Sequence, residues 1–179
     1  DTWGYDSFAQ FFANRGYAVL QPNFRGSVGY GKKFLNAGNK EWGDKMQDDV
    51  TDGVRAIIEQ GVADPKRVCI VGMGYGGYVA LAGAAFTPEL YACAISVNGI
   101  SDLPDLISSP HPLGIDLQEE IGRKGSPELA AKSPARAASR VRAPILLMHG
   151  VDALMVPVVQ SQTMMKALGG QAPHELIEL

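Results

Sequence analysis

Arg67-Val68-Cys69-Ile70-Val71-Gly72-Met73-Gly74-Tyr75-Gly76-Gly77-Tyr78-Val79-Ala80-Leu81-Ala82 is the stretch on which the fold turns. Residues 67–71 are a short apolar run rich in β-branched side chains, which predicts a buried parallel strand. Residues 78–82 are apolar helix formers and open a helix. Between them lie Gly72, Gly74, Gly76 and Gly77. A strand that reverses sharply into a helix, with glycine two residues either side of its centre, is the frame of a nucleophile elbow. It predicts a strand ending near Val71, a helix starting near Gly76 and a positive φ at the centre. That centre is Gly74, which has no side chain and cannot attack a carbonyl carbon. A phosphate-binding glycine loop is the competing interpretation. The spacing differs from G-x-G-x-x-G, and no acidic ribose partner follows where that motif needs one.

Outward from the elbow, helical and strand patterns alternate. Phe8, Phe11 and Phe12 give helical spacing over 3–15, stopped by Gly16. Residues 17–21 form a short apolar strand closed by Pro22, and 24–43 is a glycine-rich loop. Met46, Val50, Val54, Ile57 and Ile58 lie on one helical stripe that Gly61 ends. Asp64-Pro65 turns the chain into the elbow strand. After the elbow helix come a strand over 91–97, a polar, proline-punctuated region over 101–142, a strand over 144–149, a helix over 158–168 and a further strand over 175–179. The fold class is therefore α/β: a mostly parallel sheet flanked by helices on both faces. Residues 1–179 form one partial domain, with 101–142 a short cap-like insertion of small helices.

At 179 residues the chain is long enough to bury a core. Its 46% hydrophobic and 20% charged content suits a globular protein, and a formal net charge of −3 without a basic block argues against a nucleic-acid partner. No apolar run reaches the roughly 18 residues of a membrane span. No secretory leader is visible, so a cytoplasmic location is expected. The start Asp1-Thr2-Trp3 lacks methionine, as a segment with sequence missing upstream would. Cys69 and Cys93 fall in two different strands and are expected as buried free thiols, with a disulfide or a reactive thiol as the alternatives. His111, His149 and His174 are scattered and show no ligand spacing, so neither metal nor cofactor is expected.

Five segments occur in one order: Asn23-Phe24-Arg25-Gly26-Ser27-Val28-Gly29-Tyr30-Gly31; Trp42-Gly43; Asp64-Pro65-Lys66-Arg67-Val68; the elbow through Tyr78; and His149-Gly150 followed by Val156-Pro157. Together they resemble the catalytic domain of prolyl oligopeptidase family serine peptidases, which include acylaminoacyl and dipeptidyl peptidases. The resemblance spans nearly the whole chain. It implies an α/β-hydrolase fold and hydrolysis of peptides or acyl-peptides at a serine.

Position by position, that chemistry is missing. The resemblance places the nucleophile at Gly74, where serine is absent. It places the catalytic acid at Ala153, where aspartate is absent. Asp152 is adjacent, but a shift of one residue aims its carboxylate elsewhere. The family's histidine and its His-Gly-Gly-Pro segment fall outside the chain, which thus looks truncated at both ends. Of the active centre there remains the backbone N–H of Tyr75, at the place of an oxyanion donor. The expected function is a serine-type peptidase by family, inactive as given; the alternative is a non-catalytic protein that binds a peptide or small acyl ligand. Self-association through exposed sheet edges is also expected. Other polar residues are read as structural: Ser27 as a turn serine with a local hydrogen bond, Cys69 as an inert strand thiol, His149 as a structural histidine, Asp49 and Asp52 as solvated or capping carboxylates, and Arg25 and Tyr30 as loop residues.

Overall fold

The computed structural model describes residues 4–109 and 117–179, and of residue 119 the backbone only. His111, Trp3 and part of the expected 101–142 insertion lie outside the described residues. The chain divides into two compact units, 1–65 and 66–179, taken here in turn.

The first unit holds helices α1 (Ser7–Ala13), α2 (Lys32–Asn36) and α3 (Lys45–Glu59). Asp6 caps α1, its side chain accepting from the Ala9 N–H at 2.7 Å. In α3 the predicted stripe is real: Met46, Val50 and Val54 are buried, and Gly61 follows the helix at positive φ. The expected strand over 17–21 is not one. Those residues carry no regular secondary structure, with Tyr17, Val19 and Leu20 exposed, and no strand lies beside them among the described residues. Strand propensity cannot replace a paired neighbour that takes the N–H and C=O groups.

Asp49 is neither a cap nor a solvated carboxylate. It takes a bidentate fork from Arg25, Nε to Oδ2 at 2.7 Å and Nη2 to Oδ1 at 2.6 Å, and the Arg25 backbone N–H also donates to Oδ2 at 3.0 Å. The glycine loop is thereby tied to α3. Hydrogen bonding from the Arg25 side chain holds the Asp49 carboxyl below its ordinary pKa. A depressed folded-state pKa adds stability above the unfolded value, and that stability is lost as pH falls through the folded value. Asp49→Asn is therefore expected to cost about 1 kcal/mol in urea unfolding at pH 7. The gap to the parent chain should narrow as pH falls through the depressed Asp49 pKa; a gap that stays the same down to strongly acid pH would contradict the pairing. Asp52 is exposed, with Arg55 3.9 Å away.

The second unit is a parallel sheet in the order β1 (Cys69–Met73), β2 (Cys93–Val97), β3 (Ile145–His149), β4 (His174–Glu178). Helices α4 (Tyr75–Phe86), α5 (Leu103–Ser108), α6 (Gln118–Ile121), α7 (Pro127–Ala131) and α8 (Val159–Leu168), with a 3-10 helix over Pro134–Arg140, belong to the same unit. Leu81, Ala84 and Ala85 of α4, Ile145 and Leu147 of β3, and Met164 and Leu168 of α8 form one buried cluster on one face. Each large aliphatic side chain so buried contributes about 1.5–3 kcal/mol. Tyr78 is anchored at its tip, its hydroxyl donating to the Lys132 carbonyl at 2.9 Å, and burial pushes its pKa upward. No helix among the described residues is long and apolar enough to cross a membrane.

Two expectations change here. The elbow strand is not buried: β1 lies at the sheet edge, with Cys69, Val71 and Met73 exposed and only the Ile70 face packed against α4. The cysteines are not free thiols. Cys69 stands opposite Cys93 in the β1–β2 register with Cα atoms 4.6 Å apart, within bridging range, and the two form a disulfide.

Candidate active site at the carboxyl edge of the sheet

β1 ends at Met73, Gly74 has φ 58° and ψ −115°, and α4 begins at Tyr75. The turn closes in three residues because the backbone comes very near itself. A Cβ on Gly72 would overlap the Gly76 carbonyl, and one on Gly77 would lie 2.7 Å from Gly99 Cα and 2.9 Å from Ser96 Oγ. Gly74 itself is held by its N–H donating to the Val97 carbonyl at 2.9 Å and by its own carbonyl accepting from the Tyr78 N–H at 3.1 Å. A Cβ on Gly74 would meet nothing within 4 Å. Packing thus demands glycine at 72 and 77. At 74 only the positive φ favours it, and the direction a side chain would take is open. The positive φ and the strand–turn–helix order bear out the elbow geometry expected from the sequence.

The parallel register aligns Met73, Val97, Met148 and Ile177 at one end of the sheet. The elbow and the loop after β3 both leave from that carboxyl edge, where open α/β sheets bind ligands. Ala153 sits in the latter loop, half-buried, its N–H donating to the Gly150 carbonyl at 3.1 Å. Its neighbour Asp152 is exposed. Strands β1 and β3 flank β2, about 10 Å apart at this edge.

His149 is fully buried, with both ring nitrogens engaged: Nε2 is 2.8 Å from the Val156 carbonyl and Nδ1 2.7 Å from Ser161 Oγ. A carbonyl only accepts, so Nε2 carries the hydrogen. The ring braces the loop that holds Ala153. His174 lies at the opposite end of the sheet, level with Ile145, and its Nδ1 is 2.6 Å from the Ala172 carbonyl. Neither histidine is placed to serve Gly74.

Sequence reasoning missed Asn98. At φ 47° it follows β2, and its Oδ1 accepts from the Gly150 N–H at 2.9 Å, linking the β2 end to the loop after β3. The signal was the Asn98-Gly99 pair, since asparagine tolerates the left-handed region. It also missed Gln160, a buried amide on α8 whose Oε1 accepts from the N–H groups of Ser101 and Asp102. In the first unit, Ser27 is buried and its Oγ has no hydrogen-bond partner among the described residues, so the expected structural bond is not found there. Tyr30 is exposed, and its hydroxyl accepts from Asn23 Nδ2 at 2.6 Å.

A parallel sheet with its crossovers, a positive-φ elbow at the carboxyl edge and a bracing histidine behind the next loop define an α/β-hydrolase fold. The Prolyl oligopeptidase family profile matches residues 3–177, and the chain belongs to that family. It is 40% identical to dipeptidyl aminopeptidase BIII of Pseudoxanthomonas mexicana and 37% identical to dipeptidyl peptidase family member 6 of Caenorhabditis elegans, each over 94% of this chain. Among solved structures, Pyrococcus horikoshii acylaminoacyl peptidase superposes with a TM-score of 0.82 at 26% identity over 88% of the chain. A Mycobacterium tuberculosis puromycin-hydrolyzing peptidase gives 0.80 at 31% over 87%. The chain spans 26% and 24% of the lengths of the two curated relatives, and 26% and 24% of those two structures.

Proposed function

We propose that this chain carries the peptide-handling surface of a prolyl-oligopeptidase-type peptidase without its nucleophile: it binds peptides or acyl-peptides at the carboxyl edge of the sheet and does not hydrolyse them. The observation that carries this is Gly74, at φ 58° in the elbow with open space where a nucleophile's side chain would extend. The peptide class is supported by the names of the similar proteins, which are dipeptidyl, acylaminoacyl and puromycin-hydrolyzing peptidases. Acyl transfer to a side-chain oxygen needs a hydroxyl, a base to take its proton and a group to orient the base. Gly74 supplies no hydroxyl, and Ala153 offers a methyl group at the acid position. A histidine on a longer polypeptide would still find nothing at Gly74 to deprotonate. What the elbow retains is the Tyr75 N–H at the start of α4, where the helix dipole favours a carbonyl or carboxylate oxygen of a ligand.

The test is exposure of the chain to a fluorophosphonate probe followed by intact-mass measurement. The expected spectrum shows no adduct. Stoichiometric labelling at any serine would restore the reading of an active serine peptidase.

A further inference from the structure

A cavity of about 290 Å³ opens beside the acid-position loop, lined by Asp105, Ser108 and Ser109 on one side and by Pro157, Val159 and Gln160 on the other. Helix α5 follows the carboxyl end of β2, and Pro157 follows that of β3, so the cavity shares the sheet edge of the elbow. Gln160 is its buried foundation. Its Oε1 takes the N–H groups of Ser101 and Asp102 at 2.9 and 2.8 Å, and its Nε2 donates to the Asp102 carbonyl at 3.2 Å and to Asp105 Oδ2 at 3.3 Å. One oxygen of Asp105 is thereby fixed. Asp105 is exposed, and its other oxygen accepts no hydrogen bond and makes no ion pair within 4 Å among the described residues, although Arg136 acts on the carboxylate electrostatically. The nearby Arg136 is committed to Asp102, Nε to Oδ2 at 2.8 Å and Nη2 to Oδ1 at 3.3 Å. The hydroxyls of Ser108 and Ser109 are also without partners among the described residues.

We propose that this cavity is a subsite for the ammonium group of a bound peptide. An ammonium carries three donors and no acceptor, matching one free carboxylate oxygen and two hydroxyls. Pro157 and Val159 give its alkyl stem an apolar wall. Lysine fits better than arginine, because a guanidinium fork needs both oxygens of a carboxylate and Gln160 occupies one. The proposal rests on the peptide binding proposed above and names the chemistry that selects the peptide; a lysine side chain and a free amino terminus are the two sources.

The experiment is amide NMR of the ¹⁵N-labelled 179-residue chain titrated with three probes: acetyl-Ala-Lys-Ala-amide, acetyl-Ala-norleucine-Ala-amide and Ala-norleucine-Ala-amide with a free amino terminus. The first is expected to shift the Ser108, Ser109 and Val159 amides and to bind at least about fivefold tighter than the second, as loss of one charge-assisted hydrogen bond implies. Asp105→Asn should abolish that preference with the remaining spectrum intact. Val159→Trp, which fills the cavity from an exposed position, should abolish it too and stands in if the first variant fails to fold. A response of these amides to the third probe alone keeps the ammonium subsite and assigns it to a peptide amino terminus. Equal responses to lysine and norleucine, or a lysine preference that survives Asp105→Asn, overturn the proposal. Shifts confined to the elbow amides overturn the subsite and leave peptide binding standing; no shifts with any probe overturn both.

Discussion

Gly74→Ser is expected to leave peptide-anilide turnover by this chain at the buffer rate. The substitution is sterically open, since a Cβ there meets nothing within 4 Å. A non-glycine residue at φ 58° should cost about 1–3 kcal/mol of stability. The hydroxyl gained is a weak nucleophile without an adjacent base. His149 gives one ring nitrogen to a carbonyl and the other to Ser161 inside the core, and His174 sits at the far end of the sheet. In an unrelated serine protease, loss of serine or histidine alone costs about a million-fold in turnover, so supplying one of two missing partners recovers almost nothing. A continuous absorbance assay on the folded variant checks this. Turnover well above background would mean that a base is supplied by residues outside those described, His111 included.

Gly77→Ala is expected to have the largest effect on stability for the smallest chemical change. A Cβ at 77 faces Gly99 Cα at 2.7 Å and Ser96 Oγ at 2.9 Å, so the relief must come from backbone. Helix α4 would have to retreat from β2, and its residues 77–85 are all buried. Overpacking of this kind costs about 3 kcal/mol, or roughly 10 °C in Tm for a chain of this size. Gly76→Ala, one residue away, meets nothing within 4 Å and should be neutral or stabilising by about 0.5–1 kcal/mol through helix propensity. Urea unfolding of the two variants gives the comparison. Similar stabilities would show that the close approach at Gly77 is not real.

Much of the fold was legible because it is local. The stripe of Met46, Val50 and Val54 repeats every four residues and became α3. The strands of 91–97 and 144–149 are short apolar runs bounded by breakers, and appear as β2 and β3 within a residue or two of the expected ends. Residues 17–21 carry an equally good strand pattern and yet form none, because a ladder needs a neighbour that composition cannot name. The candidate site was legible in part for the same reason. Its missing hydroxyl at Gly74 is a matter of residue identity, whereas its supports are a matter of who stands beside whom.

The sequence by itself determined the elbow, the α/β alternation and the glycine at the elbow's centre. Glycine spacing, strand length and helical period are constraints on consecutive backbone, and they act without reference to the rest of the chain. Only the tertiary structure decided that β1 lies at a sheet edge, that Cys69 faces Cys93, that Arg25 forks onto Asp49, and that Asn98 reaches the Gly150 amide. It alone placed Gln160 under Ser101 and Asp105 beside Pro157 and Val159. Those pairings join residues 24 to 59 positions apart, and they follow from strand register and helix docking, where a shift of one residue would turn each side chain to another face.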